Sequence, residues 1–183
     1  MKLSDTFDDE SLRLSIKFKS QERTNRKVSL SDVILVYFNN IINLNGINEA
    51  DINNTLWFIF NELINNASAY SVKNKVISVD IIYDNDELDI IINNYCTHEN
   101  FEKYKNYIDF FEKKGIDKKD KISYLLTKQN NRCGGMGLYN LHYNLGVNFD
   151  FTLNDKEQLP SVITHASIDL KELFYGSRNT NNT

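Results

Sequence analysis

Proline occurs once and cysteine twice in these 183 residues. Two thiols, Cys96 and Cys133, make neither a disulfide framework nor a zinc-ligand pattern, so reduced thiols in a cytoplasmic setting are expected. No apolar run approaches the ~20 residues of a membrane span. The first ten residues are acidic and lack the apolar centre of a signal peptide, so no membrane contact is expected. There is no Gly-x-x-x-x-Gly-Lys-Ser/Thr loop, no cluster of metal ligands and no nucleophile–base pattern around either cysteine or the three histidines. Enzymes built on those devices therefore find no support. Positive charge is also short, with 21 basic against 25 acidic side chains. A net charge of −4 leaves no footprint for nucleic acid. The basic runs at 23–27 and 113–121 have acids among or near them and read as solvated faces.

What is present is a hydrophobic fraction of 41%, enough for one domain with a full core. Residues 1–175 read as that domain and 176–183 as a polar, disordered tail. Leu12, Leu14, Ile16 and Phe18 alternate with polar residues as in a half-buried strand. A helix is expected from about 29 to 44, ended by Asn45-Gly46, and a second over 49–70. A hairpin follows, with strands at 76–83 and 88–92 around a turn at 84–87. Phe101, Tyr104, Ile108 and Phe111 share a helical face. A short helix near 118–128, another from the glycines at 134–137 to about 144 with Gly146 just past its end, and strands at 147–153 and 162–170 complete the order. Hairpins with few crossovers favour a two-layer α/β sandwich, a mixed, mostly antiparallel sheet with helices on one face.

Two segments carry chemical content. On the 49–70 helix, Leu56, Ile59, Phe60, Leu63, Ala67 and Tyr70 cluster on one side, while Asn54, Asn61 and Asn65 point away. Glu62 and Asn66 face each other at i, i+4 on the margin between, where polar groups can line a cleft. The alternative is a surface pair on an asparagine-rich helix. Three of the seven glycines fall within 134–137, followed by Leu138, Leu141 and Leu145 at helical spacing. Backbone N–H groups freed by such a turn, next to a helix N-terminus, make an anion cradle; the plainer reading is a flexible loop.

Glu62-Leu63-Ile64-Asn65-Asn66-Ala67 and Gly135-Met136-Gly137-Leu138, in this order of parts, resemble the N-box and second glycine box of the histidine-kinase-like (GHKL) ATPase domain, the Bergerat fold. The resemblance covers nearly the whole chain. It implies bound ATP and Mg²⁺, with Asn66 on the metal and Glu62 activating a water or hydroxyl. Gly134, Gly135, Met136, Gly137 and Leu138 would lie at the phosphates. The adenine-reading position of the first glycine box falls on Asn93 where the family has Asp, and its glycines are replaced by Tyr95 and Thr97. Cys133 stands where the second box has its first glycine. Asn93 reads equally as a strand-end turn residue. With no histidine upstream of the N-box and a compact layout, the chain is most similar to anti-sigma-factor serine kinases and their degenerate regulator relatives. That implies a serine/threonine kinase or ATPase, or a nucleotide-free protein-binding module. The implied partners are a STAS-domain antagonist, a sigma factor or a phosphatase, with a homodimer expected on the same ground.

Overall fold

The computed structural model describes residues 2–8, 11–20, 30–38, 48–112, 135–156 and 158–176. The elements are β1 (Lys2–Asp8), β2 (Ser11–Lys19), α1 (Leu30–Phe38), α2 (Glu49–Tyr70), β3 (Val76–Asp84), β4 (Glu87–Tyr95), α3 (His98–Glu112), α4 (Gly135–Leu145), β5 (Asn148–Asn154), β6 (Ser161–Asp169) and α5 (Leu170–Tyr175). The six strands form one sheet in the order β1-β2-β3-β4-β6-β5. Every described pair is antiparallel. The architecture is an α+β two-layer sandwich. Leu12, Leu14 and Ile16 of β2, Ile77, Val79 and Ile81 of β3, Leu88, Ile90 and Ile92 of β4, and Ala166 and Ile168 of β6 join Ile34, Phe38, Leu56, Ile59, Phe60 and Leu63 from α1 and α2 in one core. Period-2 alternation sends the other half of each strand to the uncovered face, where Arg13, Asp80, Asp89 and His165 lie.

Local chemistry sets the boundaries. Asn48 caps α2 by accepting the Ala50 N–H at 2.9 Å. The β3–β4 hairpin closes through Asn85 and Asp86, both with positive φ (48° and 68°), a type I′ turn. Gly146, at φ 70°, ends α4 in an αL cap: its N–H donates to His142 O, and that of Val147 donates to Leu141 O. Asp169 caps α5, whose Lys171 meets the hairpin turn at Asp86, 2.7 Å away.

Two elements were not expected from the sequence. β1 is an edge strand and pairs along β2 although only two of its seven residues are apolar. α5 begins at Leu170, a residue read as the end of the last strand. The helix expected at 118–128, the Asn45-Gly46 stop, Cys133, Gly134 and the 177–183 tail lie outside the described residues.

Candidate functional site

The end of α2 is pinned over the end of β4. Ser71 bridges Cys96, and the Val72 N–H donates to Tyr95 O at 2.7 Å. α4 lies along the other side of α2. A Cβ at Gly137 would fall 1.9 Å from Glu62 Oε2 and 2.8 Å from its Cδ, so the absence of a side chain there is what lets the carboxylate sit against α4. The two motif segments, far apart in sequence, thus meet. α4 opens at Gly135, which places Gly135, Met136, Gly137 and Leu138 in its first turn, where backbone N–H groups lack intrahelical acceptors. Leu138 is nevertheless buried in the core and Met136 is half-buried.

Glu62 is half-buried, and burial pushes its carboxyl above the ordinary 4.5. Below that value the group is neutral in folded and unfolded chains alike. As pH rises through the raised value, the unfolded chain ionises freely and the folded one does so at a penalty, so stability falls. Glu62→Gln removes the penalty. It is expected to stabilise the protein at neutral pH by less than about 1 kcal/mol, allowing for solvent screening on its open side. Thermal melts of both proteins, from below pH 4.5 to neutrality, check this; parallel curves would refute it.

Asn65 is exposed, whereas Asn66 is only 9% accessible. Its Nδ2 has no hydrogen-bond partner among the described residues. The side chain borders a small cavity of about 10 Å³, whose other walls are Leu63, Ala67, Ile92, Tyr104, Leu138 and Thr164. That is room for one water. A nucleotide pocket is roughly 300 Å³ or more. Among the described residues, the cavity beside Asn66 is smaller than the base or sugar of ATP. Beside the carboxamide these walls offer two hydroxyl-bearing side chains, Tyr104 and Thr164, and no carboxylate, short of the oxygen-rich surroundings that Mg²⁺ selects. No group of three His, Cys, Asp or Glu among the described residues could hold a metal.

Asn93 is not brought to this place. It pairs with Ser78 and Ile163 on the uncovered face of the sheet, with Oδ1 buried and unpartnered among the described residues. The neighbour Asn94, 1% accessible, follows Leu88, Ile90 and Ile92 on the helix-covered face. Its Nδ2 donates to Cys96 Sγ at 3.3 Å, and its Oδ1 has no partner among the described residues. Continuing the alternation of β4 by two residues would have found it. Thr164, on β6 opposite Ile92, and Tyr104 are buried as the periods of their elements predict. Tyr104 belongs to a small separate cluster with Cys96, Phe101, Ile108 and Val162, and its ring meets Tyr70 edge-on at 4.7 Å. Burial pushes the Cys96 thiol up to about 11 and the Tyr104 hydroxyl higher still, so neither ionises near neutrality.

The histidines lie elsewhere. His165 Nε2 sits 2.7 Å from Asp89 Oδ1 on the uncovered face. His142 Nδ1 contacts Val147 O at 2.8 Å within an aromatic group that includes Phe111 and Tyr143. Fold and site together define a two-layer α+β protein in which the Glu62 carboxylate of α2 lies against Gly137 in the first turn of α4, near a small, partly polar cavity. Neither protein-family models nor curated proteins give a match to the chain.

Proposed function

We propose that this protein is a regulatory binding module of the anti-sigma-factor type, a cytoplasmic member of the histidine-kinase-like ATPase fold that acts through protein contacts and takes nucleotide weakly or not at all. The small size of the cavity beside Asn66 supports this reading: among the described residues it has room for about one water, and Tyr104 of α3 supplies its aromatic wall. The outer surface supports the protein-binding half. α1 turns Val33 and Val36 to solvent, at 38% and 67% exposure, and the neighbouring Trp57 is 38% exposed, its indole N–H donating to Asp32. Apolar side chains grouped this way suit a protein partner. A groove of about 390 Å³ between α2 and α4 is lined by Asn54, Thr55, Phe58, Asn140, Asn144 and Leu145. None of these lining residues is charged, a poor match to a triphosphate and a good one to a polypeptide.

A second reading, an ATP-Mg²⁺-dependent serine/threonine kinase, is favoured by one observation, the contact between Glu62 and Gly137. Calorimetric titration with ATP, with and without Mg²⁺, separates the two. No saturable heat at millimolar ligand is the expected result, and binding in the micromolar range overturns the first reading. In parallel, STAS-domain and sigma-factor proteins are titrated against wild type and Val36→Asp. A partner whose binding the substitution weakens at least tenfold supports the module.

A further inference from the structure

The sheet has two outer strands, β1 and β5. Which backbone groups β5 leaves open follows from the ladder. The Cys96 N–H donates to Pro160 O at 2.8 Å and the Leu170 N–H to Asp86 O at 2.9 Å, just beyond the two ends of the β4–β6 pair. In an antiparallel ladder the residues that exchange bonds alternate along the strand. Counting inward from both ends, Val162, Thr164, Ala166 and Ile168 bond to β4, so Ser161, Ile163, His165 and Ser167 bond to β5. Their partners there are Asn154, Thr152, Asp150 and Asn148. Phe149, Phe151 and Leu153 therefore point N–H and C=O away from the sheet, and no backbone group meets them among the described residues.

Folded chains blunt such an edge with lysine, proline, a bulge or dense charge. β1 has three charged residues in seven. β5 has only Asp150, no lysine and no proline, and its register against β6 is unbroken along its whole length. Rings hold its covered side in place: Phe149 stacks on Phe151 at 5.8 Å, and Phe111 of α3 meets both edge-on. Phe149, Phe151 and Leu153 are only half-buried, and Asp150 is exposed on the other side of the strand.

We propose that β5 is a strand-addition site for an extended segment of a partner protein. The segment runs antiparallel to β5, with apolar side chains beside Phe149, Phe151 and Leu153 and a basic one beside Asp150. The apolar side follows from pairing, because residues opposite each other across a ladder share a face. The basic side follows from charge, since Asp150 is the one charge on the strand and the chain carries −4. The edge shares no residue with the α1 patch or the α2–α4 groove, so it stands or falls separately from the module reading.

The test uses the full chain and a blocked peptide of alternating valine and lysine, as long as β5. In the free protein the amides of Phe149, Phe151 and Leu153 are expected to exchange roughly tenfold faster than those of Asp150 and Thr152. Saturating peptide is expected to slow the first set about tenfold and leave the second unchanged. N-methylation of the valines removes the donors that face β5 and is expected to abolish binding. N-methylation of the lysines, whose N–H groups face away, is expected to spare it. Asp150→Lys is expected to weaken this peptide about tenfold and to strengthen a valine–glutamate peptide by as much. Binding that survives valine N-methylation overturns the proposal, because side chains alone are then being read. So does an absence of change in the β5 amides at millimolar peptide. A concentration-dependent dimer that protects the same three amides without peptide also overturns it, since a second copy then fills the edge.

Discussion

Tyr104→Ala is expected to cost about 3–5 kcal/mol, a large share of the 5–15 kcal/mol that holds a domain of this size together. The ring is 5% accessible and is walled by Phe101, Ile108, Cys96 and Val162, with Tyr70 edge-on at 4.7 Å. Removing it deletes aromatic contacts and leaves a void beside the cavity already present, with rigid strands on one side that cannot collapse inward. The loss should be uneven. α3 docks by Phe101, Tyr104 and Ile108, one helical face, onto a small cluster, and touches the main core through Tyr107. With the middle residue gone, α3 is expected to open before the sheet and α2 do. Urea unfolding gives the total, and amide exchange gives its distribution: protection over 98–112 should fall furthest, while β3, β4 and α2 keep most of theirs. A loss under about 1 kcal/mol, or a uniform loss of protection, would show that α3 is not held by this ring.

The strands and helices that bury a regular stripe were legible in the sequence for a simple reason: their burial repeats at the period of the element. Leu88, Ile90 and Ile92 announce both β4 and its covered face, and Leu56, Ile59, Phe60 and Leu63 do the same for α2. Gly146 and the Asn85-Asp86 turn were legible because positive φ restricts the residue types that can stand there. β1 was not, because an edge strand held by its ladder with β2 needs few apolar residues, and it has only Leu3 and Phe7. α5 was hidden because Leu170 continues the alternation of Val162, Thr164, Ala166 and Ile168, and six residues are too few to declare a new period. At the site, the sequence separated exposed Asn65 from buried Asn66 by helix geometry alone. It could not place Glu62 against Gly137, a contact between helices that no local pattern encodes. It assigned base reading to Asn93 through a family motif, whereas strand phase sends Asn94, not Asn93, to the covered face. Tyr104 illustrates the remaining gap. Its helical spacing with Phe101 and Ile108 says that it is buried, and nothing local says against what.

Asn66→Leu is expected to raise stability by about 1–3 kcal/mol. The two side chains are similar in size, so the void created is small. What changes is that an amide donor without a partner among the described residues gives way to methyl groups facing Leu63, Ile92 and Leu138 across the same cavity. For a chain of this length the midpoint should rise by roughly 2–4 °C per kcal/mol. Asn65→Leu is the control: exposed on the same helix, it should move stability by no more than about 0.5 kcal/mol. The sign of the Asn66 result bears on function as well as on packing. A gain, with partner binding unchanged, means that the polar group is maintained at a cost to the resting protein and has no task in the protein-binding role. A loss means that the amide is already satisfied in solution by a bound water or ligand whose bonds leucine cannot replace. If the loss is accompanied by disappearance of ATP-Mg²⁺ binding, the kinase reading gains and the closed-module reading fails. Melts of both variants with and without nucleotide therefore test the interior chemistry and the functional assignment in one experiment.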